Sequence, residues 1–286
     1  GQFIGVKALA AIGSTGSLMF FVTGWLNGLS SGFAILVSQW FGAKQYDKMR
    51  HYVAMSVYLA GGCAVLMTAG LLIANEPILR MMNYSAEIMP EVKQYMGIIY
   101  AGLIVTAAYN SLAAFLRAIG DSKSPLYFLI ISAVINVALD VVFIVVFGMG
   151  VEGCAYATVI AQAISALLCF IYIVKKFPIL HLTKSDRKIS FQSFGRLLSL
   201  GIPMGLQFSI TAIGTIIVQG AVNVYGETYM AGFSAAGKLQ NMIMTVFVAF
   251  GATVATYVGQ NRGAGRMDRV KSGISTGTEP FSMESL

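Results

Sequence analysis

The chain has 286 residues, of which 57% are hydrophobic and only 11% are charged. An average soluble protein carries about 25% charged residues, so this composition excludes a soluble globular fold and indicates helices embedded in a membrane. The net charge of +7 could reflect an anionic partner or an excess of basic residues in cytoplasmic loops. The positions of the basic residues decide between the two.

Seven segments are almost free of charged residues and are long enough to cross a bilayer, which takes about 20 apolar residues. They are residues 8–40, 52–75, 94–116, 124–147, 153–174, 197–226 and 228–261. The fourth segment contains one charged residue, Asp140, and the seventh contains another, Lys238. The sequence therefore predicts an all-α, polytopic integral membrane protein with seven transmembrane helices.

The basic residues alternate between the two sides of the predicted membrane. Fifteen of the 19 lie in the loops that follow the first, third, fifth and seventh segments. Because cytoplasmic loops are enriched in Lys and Arg, these loops are predicted to be cytoplasmic and residue 1 external. The positive charge therefore indicates a multi-pass protein of the cell (plasma or inner) membrane, and we expect no nucleic-acid partner.

The loop segment after the first span recurs after the seventh. Residues 37–48 and 258–269 share the pattern V-x-Q-x-x-G-A-x-x-x-D-[KR] at a fixed offset of 221 residues. Both copies follow a helix that ends on the cytoplasmic side, so the repeat is parallel, as in one class of secondary transporter. The repeat predicts a complete unit of two six-helix lobes, and we expect this chain to be a fragment of it.

The repeat also divides the chain. Residues 1–174 form an N-terminal lobe of five helices that lacks its first helix, and residues 196–275 form the start of a C-terminal lobe with two helices. Between them, residues 175–195 are predicted to be a cytoplasmic linker with a short interfacial helix that carries Ile189, Phe191 and Phe194. Residues 276–286 read as a polar tail.

Asp140 is the strongest functional candidate, because a charge in the bilayer costs at least ~2.5–3.5 kcal/mol and is kept only beside a cavity or a partner. Asn136 and Ser132 precede it at intervals of one helical turn, which places the three on one face. This pattern favours a proton-responsive site. A carboxylate that caps a helix end or bonds a neighbouring Ser is the alternative interpretation.

Three further polar residues are candidates for lining a cavity. Lys238 lies at a depth similar to that of Asp140, although a Lys whose stem packs on apolar neighbours would look the same. Gln207 and Thr211 begin a stripe of polar residues spaced four apart, and helix packing explains such a stripe as well as substrate contact does.

Five groups of residues together resemble the multidrug and toxic compound extrusion (MATE) transporters, in particular a prokaryotic branch related to DNA-damage-inducible transporters. They are residues 34–47, the segment Asn136-Val137-Ala138-Leu139-Asp140 with residues 148–153, residues 157–162, the segment Gly201-Ile202-Pro203, and residues 255–266. The resemblance implies two six-helix lobes around a central cavity. It also implies a cation-coupling site at Asn136 and Asp140, with Thr158 as a third member.

Two departures from the family pattern bear on coupling. The family site also uses an Asp on the first helix of the lobe, which this chain does not contain. Another branch couples through a Glu after the Gly-Ile-Pro segment, where this chain has Gln207 and Thr211. Together they favour coupling in the N-terminal lobe.

The resemblance implies a secondary active antiporter, coupled to protons or sodium ions, that exports amphipathic or cationic organic compounds by alternating access. We expect no cofactor besides the coupling ion and no enzymatic activity, since no phosphate-binding loop and no catalytic constellation is present. The expected partners are small organic substrates and membrane lipids, and we expect the full-length protein to be monomeric.

Two alternatives remain at this stage. A lipid-linked oligosaccharide flippase of the same superfamily would share the fold, but it would need a more cationic cavity. A seven-helix photoreceptor would use Lys238 for a retinal Schiff base, but the repeat and the lack of a carboxylate in the third span argue against it.

Overall fold

The computed structural model describes residues 12, 15–82, 88–223 and 227–278. Within its helices, side chains are described except at residues 216, 219, 220, 222, 223, 227–235, 238, 239, 241, 242, 277 and 278. The described part is helical, and the prediction of an all-α membrane protein is confirmed.

Nine α-helices follow one another in this part of the chain. They are α1 (Gly16–Gly42), α2 (Tyr46–Met81), α3 (Met89–Ala101), α4 (Leu103–Ala118), α5 (Lys123–Val141), α6 (Val151–Lys176), α7 (Phe191–Asn223), α8 (Glu227–Gly263) and α9 (Met267–Thr278). A π-helical turn (Val142–Val146) extends α5, and a 3₁₀ turn (Pro178–Leu180) follows α6. We refer to α1–α6 as the N-terminal helices and to α7–α9 as the C-terminal helices.

The described helices include six that are long and apolar enough to cross a membrane, or seven if the bent pair α3 and α4 counts as one span. The pair bends by 46° at Gly102, where a Cβ atom would lie 2.5 Å from Cγ2 of Val159 on α6. The sequence predicted one continuous span here. Hydropathy averaged along a segment does not distinguish a straight helix from a broken one.

Helix α1 is the centre of the bundle and packs against α7, α4, α8 and α2. Its contact with α7 is close because small residues face each other. A Cβ at Gly28 would lie 2.5 Å from the Met204 carbonyl oxygen, and one at Gly32 would lie 2.6 Å from Cα of Gly201. Small residues on α1 therefore bring the first C-terminal helix close onto the N-terminal helices.

The turn between α4 and α5 is set by Gly120 and Asp121. Gly120 has a positive φ of 97°, and the next amide, that of Asp121, donates to the carbonyl of Leu116 at 2.9 Å, as in a Schellman ending. The Asp121 carboxylate accepts hydrogen bonds from the amide and the hydroxyl of Ser124. Burial opposes charge on Asp121, but these bonds outweigh it and hold the pKa of the carboxyl below its usual value.

The linker between α6 and α7 differs from the prediction. The expected interfacial helix is not present within residues 175–195. Residues 177–190 instead contain the 3₁₀ turn and a run of turns. Ser190 then caps α7, its hydroxyl oxygen accepting from the Ser193 amide at 3.3 Å. Phe191 and Phe194 consequently belong to the first turn of α7, and the linker proper is residues 177–190.

The linker is fastened to the start of α2 through Asp186, which is only 5% exposed. Its carboxylate accepts from Arg50 Nε at 3.1 Å and from the amide and hydroxyl of Thr183 at 2.8 and 2.6 Å. Burial opposes charge on Asp186, but these hydrogen bonds hold the pKa of the carboxyl below its ordinary value of 3.8. His51 adds contacts to the Asp186 carbonyl and to the Ser193 hydroxyl.

Beyond α8, the chain forms a third C-terminal helix, α9, where the sequence predicted two helices and then a polar tail from residue 276. Tyr257 of α8 lies directly against Gly273 of α9, at a distance that leaves no room for a side chain there. The residues from 279 onward lie outside the described part of the chain.

Candidate functional site in the outer half of α5

Asn136 and Asp140 lie one turn apart on α5, and both are half-buried. Within the described residues, neither the Asn136 Nδ2 atom nor the Asp140 Oδ1 atom has a hydrogen-bond partner, although both atoms are buried. Buried polar atoms are nearly always hydrogen-bonded in native proteins, so an unpaired one needs an explanation such as a missing ion or water. Two unpaired atoms on one turn of a membrane helix form the candidate site.

Two other helices contribute to the surroundings of Asp140. Tyr95 on α3 and Cys154 on α6 both lie within electrostatic range of the Asp140 carboxylate. Tyr95 is buried in a hydrophobic cluster to which α1, α2, α3, α4 and the start of α6 contribute. A phenol and a thiol from two other helices therefore lie in the electrostatic surroundings of the carboxylate, and neither is hydrogen-bonded to its Oδ1 atom.

The backbone of α5 changes immediately after Asp140. The α-helix ends at Val141 and continues as a π-helical turn over Val142–Val146. Single π-helical turns are rare and are frequent at functional sites. The site thus lies where α5 departs from regular geometry.

No hydrogen bond joins Thr158 to the Asn136–Asp140 pair among the described residues. Its hydroxyl donates to the Cys154 carbonyl of its own helix at 2.9 Å. On the same helix, Gln162 accepts a hydrogen bond from Thr106 of α4, which ties α4 to α6 below the bend at Gly102. The role of Thr158 stays a prediction.

The inner half of α5 is hydrogen-bonded to α6, unlike the outer half. Ser132 donates to the Ala161 carbonyl of α6 at 2.6 Å, and Ser165 of α6 donates back to the Phe128 carbonyl of α5 at 3.2 Å. Ser132, which the sequence placed on the same face as Asn136 and Asp140, is therefore a packing residue. Only the outer two members of that face have free polar atoms.

The predicted cavity-lining residues lie on the C-terminal helices. Gln207 and Thr211 are exposed on α7, and the Thr211 hydroxyl donates to the Gln207 carbonyl of its own helix at 2.9 Å. Lys238 lies on α8, and its side chain is outside the described residues. Their lining role stays a prediction.

A second arrangement, which the sequence analysis did not predict, closes the inner end of the bundle. A Cβ at Gly42 of α1 would overlap the Gln260 carbonyl of α8, and a Cβ at Gly263 of α8 would overlap the Gln39 carbonyl of α1. Both pairs, Gly42 with Gly263 and Gln39 with Gln260, are equivalent positions of the 221-residue repeat. The two helices therefore cross about a pseudo-two-fold axis, as in an isologous interface.

One hydrogen bond reinforces this inner crossing of α1 and α8. The Gln260 Nε2 atom donates to the Ala118 carbonyl at the inner end of α4, at 2.8 Å. Gly259, one residue earlier, lies against the hydroxyl of Ser38. The C-terminal helix α8 is thus held to two N-terminal helices at the predicted cytoplasmic side.

Sequence reasoning found Asn136 and Asp140 but missed Tyr95, Cys154 and the inner crossing. Nothing in the sequence around Tyr95 or Cys154 distinguishes them from neighbouring core residues. The crossing did leave a signal, because the repeated Gln-x-x-Gly pattern at 39–42 and 260–263 marks the residues that meet.

Comparisons with known proteins give consistent matches. The MatE family profile matches residues 1–142. The chain is 31% identical over 274 residues to the probable multidrug resistance protein YpnP of Bacillus subtilis (strain 168), covering 94% of this chain and 60% of that protein. It is also 31% identical over 284 residues to the probable multidrug resistance protein YoeA of the same organism, covering 97% and 61%.

A solved structure of a MOP superfamily transporter from Pyrococcus furiosus has the same fold. It superimposes with a TM-score of 0.87 at 21% sequence identity, covering 96% of this chain and 62% of that one. The chain therefore spans about 60% of the length of the proteins that it resembles.

Proposed function

This chain belongs to the MatE family and is a multi-pass protein of the cell membrane, and from that premise we propose that the complete protein is an ion-coupled exporter of organic compounds. The two Bacillus subtilis relatives, both named as probable multidrug resistance proteins, support drugs as the exported class. Because the family consists of transporters, we assign no catalytic residue. Family membership also removes the photoreceptor alternative.

The observation that carries the proposal is the unpaired Asn136–Asp140 pair. A carboxylate is retained inside a membrane helix only for a purpose that offsets its insertion cost, and here its buried oxygen has no partner in the described part of the chain. A proton or a sodium ion would supply the missing interaction. For sodium, the Asp140 carboxylate and the Asn136 amide oxygen are oxygen donors of the kind that hard cations prefer.

Coupling also requires two conformations that bind the ion differently, since a ligand shifts a conformational equilibrium only through differential affinity. The inner crossing of α1 and α8 is closed in this structure. We assign it as the inner gate, so the opposite state must separate Gly42 from Gln260 and break the bond from Gln260 to Ala118. Alternating access then consists of exchanging this inner contact for one at the outer side.

The experiment uses the full-length protein in proteoliposomes with an imposed gradient of either protons or sodium ions. Asp140→Asn removes the ionisable group and keeps its size, so it should abolish gradient-driven drug transport while leaving drug binding largely intact. Glu152→Gln is the matched control, because Glu152 is a half-buried carboxylate near the outer end of α6 that the proposal does not use.

The gradient that drives wild-type transport identifies the coupling ion. Unchanged gradient-driven export by Asp140→Asn would make the residue structural and overturn the assignment. Equal losses in Asp140→Asn and Glu152→Gln would point to a general effect of removing carboxylates.

A further inference from the structure

Two adjoining cavities lie along α2 where it approaches the linker and the start of α7. The inner cavity has a volume of about 220 Å³ and is lined by Ala54, Val57, Tyr58, Leu182 and Arg187. The outer cavity has a volume of about 500 Å³ and is lined mainly by apolar residues, including Leu59, Gly62, Leu66, Met67 and Leu198, together with Tyr58. Because both cavities share Tyr58, they form one groove, which we call the α2 groove.

The α2 groove has a charged inner end. Arg187 is exposed on the linker and has no ion pair with any described residue. The carboxylate of its neighbour Asp186 is already engaged by Arg50 and Thr183. The Arg187 guanidinium is therefore available to an anion from outside the chain, at the end of the groove that the positive-inside rule places at the cytoplasmic surface.

The rest of the groove is apolar and has the length of one acyl chain. From Ala54 to Met67 the helix rises about 20 Å at 1.5 Å per residue, while one leaflet of the hydrocarbon core is about 15 Å thick. Gly62 lies along this path with open space where a side chain would be. The groove thus begins at the cytoplasmic interface and runs through the inner leaflet.

We propose that the α2 groove binds an anionic phospholipid of the inner leaflet, with the phosphate at Arg187 and one acyl chain along α2 beside Gly62. Charge complementarity selects the headgroup, and the groove fits a single chain. The bound lipid would bridge α2, the linker and α7, and so would contact both the N-terminal and the C-terminal helices. The proposal does not depend on transport or on the coupling ion.

Native mass spectrometry of the full-length protein tests the proposal directly. The protein is incubated in detergent with equal concentrations of phosphatidylglycerol and phosphatidylcholine of the same acyl chains, and the fraction that retains each lipid is measured. One basic side chain near an anionic lipid is worth about 1 kcal/mol, so we expect phosphatidylglycerol to be retained about fivefold more.

Two variants with matched controls locate the site. Arg187→Gln should bring the two lipids to equal retention, whereas Lys184→Gln, which removes a charge from the same linker outside the groove, should not. Gly62→Trp should reduce retention of both lipids by filling the groove, whereas Gly70→Trp, also in open space on α2, should leave retention unchanged.

Several results would overturn the proposal. Equal retention of the two lipids by the wild type would do so, and so would equal effects of Arg187→Gln and Lys184→Gln. Displacement of the lipid by glycerophosphoglycerol, which has the headgroup but no acyl chains, would show that the apolar part of the groove does not contribute to binding. If Gly62→Trp fails to elute as a folded protein, Arg187→Gln still decides the question, because Arg187 is exposed and has no described partner to lose.

Discussion

The inner end of the bundle and the outer half of α5 use polar residues in opposite ways. At the inner end, Gln260, Asp186 and Arg50 are all hydrogen-bonded and hold helices or the linker together. In the outer half of α5, Asn136 and Asp140 each have a buried polar atom without a partner among the described residues. The first region holds helices and the linker together, whereas the second presents polar atoms that no described residue satisfies.

Helix α5 shows this difference within a single element. Ser132 is bonded to α6, and the next two polar residues on the same face are not. An unsatisfied buried polar group costs about 1–3 kcal/mol. The unpaired atoms of Asn136 and Asp140 therefore destabilise the outer half of α5, and a bound ion would reduce this destabilisation. We infer that the inner contacts define one conformation and that the occupancy of the outer pair selects between conformations.

The largest expected effect comes from breaking the inner crossing. Gly42→Ala places a Cβ on the Gln260 carbonyl, and overpacking of this kind costs about 1–3 kcal/mol. The ratio of closed to open protein should therefore fall about fivefold or more. Gly61→Ala is the control, because a Cβ at Gly61 meets nothing within 4 Å.

The opening is measured at Ser38, which is 1% exposed in the closed crossing. Ser38→Cys is introduced into protein whose native cysteines are replaced by Ala, and its rate of maleimide labelling from the cytoplasmic side is followed. Labelling should accelerate in Gly42→Ala and not in Gly61→Ala. An unchanged rate in Gly42→Ala would mean that the crossing is not a gate.

An effect confined to the linker is expected from releasing it from α2. Asp186→Asn replaces a charged acceptor of three hydrogen bonds, and such bonds are worth about 1.5–3 kcal/mol each. Trypsin should then cleave the linker at Lys184 and Arg187 faster. Asp47→Asn is the control, since Asp47 pairs with the same Arg50 but is exposed, and cleavage as slow in Asp186→Asn as in that control would contradict the docking.

The pH dependence of linker docking follows from the lowered pKa of Asp186. A carboxyl whose folded pKa lies below 3.8 contributes its full stabilisation above that ordinary value, and the contribution is lost as the pH falls through the lower, folded pKa. In a His51→Gln background, which removes the imidazole that also contacts the linker, protection of the linker against hydrogen exchange should therefore be constant from pH 8 to about pH 5. A loss of this protection near neutral pH would exclude Asp186 as its source.

The smallest expected effect is a difference in stability between substitutions in the two halves of α5. Ser132→Ala removes a satisfied hydrogen bond worth about 1 kcal/mol, which lowers the melting temperature of a protein of at least 286 residues by about 1–2 °C. Asn136→Ala removes an amide whose Nδ2 atom has no described partner, so the melting temperature should not fall by a comparable amount. A larger loss in Asn136→Ala than in Ser132→Ala would contradict the comparison.

The spans could be predicted from the sequence because a bilayer requires long apolar helices with internally satisfied backbones. The bend at Gly102 could not, since it depends on the approach of Val159 from another helix. The linker helix was predicted wrongly because an amphipathic pattern around Phe191 and Phe194 also fits the first turn of a transmembrane helix. The Ser190 cap, not hydropathy, decides where α7 begins.

For the site, one charge within an apolar segment was enough to predict Asp140, and helical spacing added Asn136. Tyr95 on α3 and Cys154 on α6 come within electrostatic range of the carboxylate, and only the packing of those helices brings them there. Spacing alone could not reveal that the Ser132 hydroxyl donates a hydrogen bond to α6, because its acceptor is a backbone carbonyl 29 residues away.

The central claim is that the state of the outer pair determines whether the inner crossing is closed. Spin labels at Gln45→Cys and Arg266→Cys, which are exposed and equivalent in the repeat, report the separation of α1 and α8 by pulsed electron paramagnetic resonance. In the full-length protein without native cysteines, we predict a distance distribution that changes between pH 8 and pH 5, or on adding sodium. In Asp140→Asn the distribution should be the same under all of these conditions. A variant distribution that still responds as the wild type does would contradict the account.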